Sequence, residues 1–323
     1  MTATSAGLSP GGVPGVGTVA VHCGRWGAFL LDALRRGLPD TDLVASGTAE
    51  AASADVLVTL VDDALALTKA LTPSVQWVHV LGAGADGFPF EILGDRVLTC
   101  SRGAGAAAIA EFVVAAMLAF EKDLPDSWIT EPPVVWNTAQ LGGLEGRSLG
   151  LVGLGAIGTE VARRALAFDM DVAAVRRTSA PAPIDGVVVA PDLATLIGGS
   201  DHVVIVAPAT TATYHLFDDA AFAAFRPGAH LVNVARGTLV DPDALLRALD
   251  DGRVARASLD VVDPEPLPAG HPFYSHPNVR LSPHISWSSP RTGVRTISLF
   301  ADNLARFQGG AELHGIVDTQ VGY

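Results

Sequence analysis

The stretch Ser148-Leu149-Gly150-Leu151-Val152-Gly153-Leu154-Gly155-Ala156-Ile157-Gly158 decides the fold of this 323-residue chain. Its first five residues form an apolar run of strand length, and the Ala- and Leu-rich segment from Ala156 onward has helical spacing. The three glycines therefore stand at a strand-to-helix turn, the context that gives GxGxxG its meaning. Gly153 makes the tight turn, Gly155 lets the backbone approach a pyrophosphate, and Gly158 lets the helix pack closely on the strand. The helix N-terminus, at Ala156 and Ile157, presents N–H groups to the phosphates. A second strand, predicted over 171–175, ends in Arg176-Arg177-Thr178-Ser179. A unit built for NAD ends this strand in Asp or Glu, which hydrogen-bonds the ribose 2′-hydroxyl. Guanidinium groups bind a 2′-phosphate instead, with Thr178 and Ser179 as neutral donors, so the sequence points to NADP in preference to NAD.

Outward from the fingerprint, short β-branched runs alternate with helical stretches, the pattern of parallel α/β architecture. Toward the C-terminus, strands are predicted near 187 and over 203–206, 231–234, 257–260 and 279–281. With 148–152 and 171–175 they make seven, which suits a doubly wound sheet. Toward the N-terminus, strands over 18–21, 56–60 and 75–81 and helices over 28–36 and 62–71 form a smaller α/β unit. An apolar helix, 106–121, leads into a Pro-rich stretch, 123–140, which reads as an arm holding Trp128 and Trp136. The helix 292–307 is too long for a sheet-edge cap, which suggests that it returns to the first unit.

The chain carries 21 Lys plus Arg against 34 Asp plus Glu, a net charge of −13. That field repels polyphosphate backbones and excludes nucleic acid as a partner. The longest apolar stretch, 106–120, is broken by Glu111 and falls short of the roughly 20 residues of a membrane span. Residues 1–17 are rich in Gly, Pro and Ser without Lys or Arg, so they read as a disordered tail and not as a secretion signal. Cys23 and Cys100, the two cysteines of the chain, lie in apolar runs and read as packed thiols of a cytoplasmic protein. The histidines show no metal-cluster spacing, so no metal is expected.

Five motifs appear in order: the fingerprint itself; Pro208-Ala209-Thr210-Thr211-Ala212-Thr213; Asn233-Val234-Ala235-Arg236-Gly237; Leu259-Asp260-Val261-Val262-Asp263-Pro264-Glu265; and Ser282-Pro283-His284-Ile285. From residue 78 to residue 318 the chain resembles the D-isomer-specific 2-hydroxyacid dehydrogenase family, of the glyoxylate and hydroxypyruvate reductase kind. The resemblance implies a Rossmann-type doubly wound domain, 103–288, set within a smaller flavodoxin-like substrate domain made of 1–102 and 289–323. It implies a homodimer joined through the apolar helix and the arm, and a hydride transfer between NADP(H) and a small 2-oxo or D-2-hydroxy acid.

The residue types fit that chemistry. A 2-oxo acid needs a cation to hold its carboxylate and polarise its carbonyl, a proton donor for the developing alkoxide, and a group that keeps the donor charged. Arg236, His284 and Glu265 supply these three. By resemblance, Pro208, Thr213, Val234, Ala235 and Asp260 join the cofactor site, Asp260 at the nicotinamide carboxamide. The loop Gly82-Ala83-Gly84 meets the substrate carboxylate through its N–H groups, and Trp287 narrows the substrate pocket. Two departures from the family stand out: Asp169, where glycine is frequent, is expected to alter a turn, and Trp287 replaces smaller residues. Two alternatives stay open, a non-catalytic dinucleotide sensor or corepressor on the same scaffold, and a formate dehydrogenase, against which Glu265 argues.

Overall fold

The computed structural model describes residues 17–138, 140–178 and 181–323. The expected disordered tail, 1–17, lies outside the described residues apart from Gly17, and so does Ser179. The chain divides into two compact units, one of residues up to Ala104 with Pro290–Tyr323, the other Gly105–Ser289.

In the first unit β1 (Val19–His22), α1 (Gly27–Gly37), β2 (Leu43–Ala45), β3 (Val56–Thr59), α2 (Ala64–Ala70), β4 (Trp77–Val80) and β5 (Val97–Cys100) follow in sequence. The strands form one parallel sheet in the order β2-β1-β3-β4-β5. Strands β3 and β4 are buried throughout, as expected of parallel strands covered on both faces. The edge strands β2 and β5 are not among the predicted ones. At three residues, β2 is too short to show a period.

The second unit opens with α3 (Ala106–Glu121) and continues through β6 (Ser148–Val152), α4 (Ala156–Leu166), β7 (Asp171–Val175), β8 (Val187–Val189), α5 (Leu193–Gly198), β9 (His202–Ile205), α6 (Asp219–Ala223), β10 (Ala229–Asn233), α7 (Pro242–Asp250), β11 (Val254–Leu259) and β12 (Val279–Leu281). All seven predicted strands form one parallel sheet, ordered β12-β11-β10-β9-β6-β7-β8. Connections run outward in both directions from the β6/β9 pair, which makes that pair the switch point of the sheet. Val113 and Met117 of α3 and Val161 and Ala165 of α4 bury one face against Leu149 and Leu151. Phe217, Phe222, Leu245 and Leu249 cover the other.

Helix α8 (Pro290–Gln308) belongs to the first unit, where Trp77 meets Phe300 and Phe307 at ring-centroid distances of 5.4 Å. The turn after α4 corrects an expectation. Asp169 itself adopts the left-handed conformation (φ 56°), and the N–H of Met170 still closes on the Ala165 carbonyl at 3.2 Å. Asp is one of the few side chains that tolerates this region, so the turn keeps the geometry a glycine would give it. Cys23 and Cys100 are free and buried, and burial pushes the Cys23 thiol up to about 12. Among the described residues no helix is long and apolar enough to cross a membrane.

Candidate active site

Arg236, Glu265, His284 and the described residues of the expected cofactor site fall at the C-terminal edge of the seven-stranded sheet, after β6, β7, β9, β10, β11 and β12. Gly153 leaves β6 with φ 109°, a conformation closed to other residues, and its N–H bonds the last carbonyl of β7 (Val175, 3.0 Å). A side chain at Gly158 would place its Cβ 2.5 Å from the Gly153 carbonyl oxygen, so the helix–strand approach requires glycine there. At Gly155 the opposite holds: nothing lies within 4 Å of where a Cβ would stand, and no side chain caps the helix that starts at Ala156. Ala156 is exposed and Ile157 half-buried. This open space over uncapped helical N–H groups fits a pyrophosphate.

Arg176 follows β7 directly and donates through Nη1 to the Pro181 carbonyl at 2.8 Å; Arg177 and Thr178 are exposed. After β9, the Thr213 hydroxyl donates to the Pro208 carbonyl (2.8 Å) and accepts from the Thr210 N–H (2.8 Å), so it is engaged inside its own loop. Val234 and Ala235 are buried after β10, with the Ala235 N–H on Asn233 Oδ1 (3.0 Å).

The loop carrying Arg236 is shaped by Asn233, whose Nδ2 donates to the Arg236 carbonyl at 2.9 Å. The next loop presses against it so closely that a Cβ on Gly237 would lie 2.0 Å from the Val262 carbonyl carbon. Arg236 donates through Nη1 to the Ala235 carbonyl at 2.6 Å and is half-buried. In the loop after β11, Glu265 accepts the Val262 N–H on Oε1 (3.2 Å) and His284 Nδ1 on Oε2 (2.8 Å). A carboxylate can only accept, so Nδ1 carries a hydrogen and Nε2 is left for chemistry. The two side chains are 38% and 41% exposed, open enough for a ligand to reach them.

Asp260 is almost fully buried, and its carboxylate faces the His284 loop. Oδ1 accepts the Ser282 hydroxyl and the Ile285 N–H (2.9 Å), and Oδ2 accepts the Ser286 N–H (2.9 Å). Its backbone carbonyl takes the His284 N–H at 2.9 Å. The sequence reading did not include Ser282, Ser286 or Asn233 among the site residues. Their only signal is that small polar residues flank the charged ones. Trp287 is half exposed, and its Nε1 donates to the His284 carbonyl at 2.9 Å.

Gly82, Ala83 and Gly84 belong to the other unit and follow β4 at the C-terminal edge of its sheet. The Gly82 carbonyl accepts the Ser101 N–H at 2.9 Å, and the Ala83 carbonyl accepts the Cys100 thiol at 3.4 Å.

A doubly wound sheet with a glycine cradle at its switch point, and an arginine and a carboxylate-held histidine on the same edge, defines a dinucleotide-binding oxidoreductase. Comparison with known proteins narrows the class. Residues 114–286 match the family described as D-isomer specific 2-hydroxyacid dehydrogenase, NAD binding domain. The chain is 32% identical over 279 residues, 83% of each chain, to a glyoxylate reductase of Korarchaeum cryptofilum. A D-isomer specific 2-hydroxyacid dehydrogenase from Xanthobacter autotrophicus, solved with NADPH and MES, superposes with a TM-score of 0.82 at 26% identity over 95% of this chain and 100% of that one. The NADPH-dependent glyoxylate/hydroxypyruvate reductase of Sinorhizobium meliloti, solved with NADP and malonate, gives 0.75 at 27% identity over 94% and 98%. The chain belongs to the D-isomer-specific 2-hydroxyacid dehydrogenase family. It is an oxidoreductase of 2-hydroxyacid substrates that uses a nicotinamide cofactor.

Proposed function

We propose that the enzyme is an NADPH-dependent reductase of small 2-oxo acids, glyoxylate or hydroxypyruvate among them, with Arg236, Glu265 and His284 as its catalytic residues. The observation that carries this reading is the 2.8 Å contact of His284 Nδ1 with Glu265 on the same sheet edge as Arg236 and the glycine cradle. Bound at that cradle, the nicotinamide supplies the hydride. Arg236 holds the substrate carboxylate with its planar fork and polarises the carbonyl. His284 gives the proton from Nε2 to the developing alkoxide, and Glu265 fixes the ring through Nδ1. The loop Gly82-Ala83-Gly84 suits a substrate carboxylate through its N–H groups, which supports residues 1–102 and 289–323 as the substrate domain.

The NADP preference rests on Arg176 and Arg177, in a chain with only two lysines, Lys69 and Lys122. A charge-assisted hydrogen bond to the 2′-phosphate is worth roughly 1.5–3 kcal/mol, about a 10- to 150-fold preference. Two relatives solved with NADPH or NADP support it. The test is kcat/KM for NADPH and NADH over a panel of 2-oxo acids, with Arg176→Asp expected to move the preference toward NADH. Equal values would remove the arginines from cofactor selection. No turnover with any 2-oxo acid would favour a sensor.

The enzyme is further proposed to be a homodimer. The arm carries Trp128 and Trp136, 71% and 73% exposed, beside exposed Ile129, Val134 and Val135, more contiguous apolar surface than a monomer's arm should show to water. Sedimentation at micromolar concentration should give a species of twice 33.3 kDa.

A further inference from the structure

The proposed acid/base, His284, sits in a conformation its own backbone disfavours. Its φ is 55°, in the left-handed region, which a non-glycine residue keeps only where its surroundings hold it. The N–H of His284 is held from one side, by the carbonyls of Asp260 (2.9 Å) and Ser282 (3.0 Å). Its carbonyl is held from the other side by the indole Nε1 of Trp287 at 2.9 Å. The base of Trp287 is itself fixed: a Cβ on Gly105, the residue before α3, would lie 3.3 Å from the Trp287 Cβ and 3.7 Å from its Cα. Residues 105 and 287 both lie within two residues of an end of this unit, so the indole ties the His284 loop to the place where the chain enters and leaves it. The sequence reading made Trp287 a wall of the substrate pocket; the hydrogen bond gives its ring a different task.

We infer that Trp287 is a positioning residue, whose indole N–H holds the His284 peptide in its left-handed conformation and so keeps the imidazole aligned between Glu265 and the alkoxide. This rests on the reading of His284 as the proton donor. With the indole bond gone, the His284 carbonyl is free to turn, the backbone relaxes toward φ below zero, and Nε2 swings off line while Arg236 and the cofactor cradle stay as they are. The signature is a loss in kcat without a loss in substrate binding.

The experiment is steady-state kinetics of Trp287→Phe, which keeps the ring and removes the N–H, with 2-oxo acid and NADPH both varied and in both H2O and D2O. The expected result is a three- to tenfold fall in kcat, about the worth of one neutral hydrogen bond, with KM for the 2-oxo acid changed less than twofold. The solvent isotope effect on kcat should rise, because proton transfer becomes slower relative to the other steps. Gly105→Ala pushes on Trp287 without touching its N–H and should lower kcat in the same direction. It also stands in if the Phe variant folds poorly. A raised KM with unchanged kcat would make Trp287 a substrate-contacting wall and overturn the proposal. Wild-type kinetics in both variants would overturn it as well. Full turnover in His284→Ala would instead sink the reading of His284 itself, and Trp287 with it.

Discussion

The seven-stranded sheet carries a glutamate–histidine pair at each of its two edges, and the pairs have opposite character. At the C-terminal edge, Glu265 and His284 meet at 2.8 Å in exposed loops, with the ring held on a left-handed residue. At the N-terminal edge, Glu121 accepts from His202 Nε2 at 3.1 Å with both side chains nearly inaccessible (4% and 0%). There the contacts continue inward: His202 Nδ1 lies 3.2 Å from His230 Nδ1, and His230 Nε2 lies 3.0 Å from the Ser258 hydroxyl. A carboxylate can only accept, so Nε2 of His202 donates to Glu121, and the contacts run on through His230 to Ser258. Burial raises the Glu121 carboxyl, but the His202 bond and the Arg147 charge outweigh it and leave it below its ordinary value. The same two residue types thus make a closed hydrogen-bonded network where water is excluded and the proposed acid/base pair where it is not. Burial decides between them, through the cost of leaving a charge or donor unmet.

The comparison is broken most severely at the exposed pair. His284→Ala should lower kcat by roughly 10²–10⁴-fold, the worth of a positioned general acid, while thermal unfolding shifts by no more than about a degree. Near-normal turnover would erase the distinction. The buried pair should answer in stability instead. Glu121→Ala leaves His202 and Arg147 without their shared acceptor and should cost about 3–5 kcal/mol, a fall in Tm on the order of 10 °C, with kcat per folded enzyme within twofold of the wild type. A calorimetric scan together with activity at low temperature separates the two effects.

Acid should sharpen the comparison next. Burial lowers His79, in the five-stranded sheet, from 6.5 to about 3 and holds His230 well below 6.5, a neighbouring His202 charge adding to the latter. The unfolded chain takes up these protons near pH 6.5 and the folded chain does not, so stability is full above that pH and is lost as pH falls. At pH 5, 1.5 units below 6.5, His79 alone should cost about 2 kcal/mol at 1.36 kcal/mol per unit. Urea unfolding at pH 7.5 and pH 5 measures it, and equal midpoints would show that the ring is not held neutral. The smallest effect belongs to Glu265→Gln, which keeps an acceptor for Nδ1 and removes the charge. Since a charged hydrogen bond exceeds a neutral one by about 1 kcal/mol, kcat should drop about five- to tenfold with no change in Tm. A fall as large as that of His284→Ala would mean that Glu265 does more than orient the ring.

The contrast between the pairs was not legible in the chain. His202 and His230 stand one residue outside the strands predicted over 203–206 and 231–234, and Glu121 closes the apolar helix expected over 106–121. Only pairing of β9 with β10, which sets His202 opposite His230, brings them together. Arg236, Glu265 and His284 were singled out because their short motifs stand in the order that carries the family resemblance, and the structure sets each a few residues beyond a strand. The fingerprint was legible because steric demands at Gly153 and Gly158 act over a few residues, so sequence alone records them. Strand periodicity likewise determined seven strands and the doubly wound class. What required tertiary structure was everything set by contacts across long sequence separations. The three donors that the Asp260 carboxylate collects and the buried histidine chain both depend on which loops and strand ends become neighbours. Chain neighbours alone do not encode that, because burial and hydrogen-bond satisfaction are settled only when the strands have taken their order in the sheet.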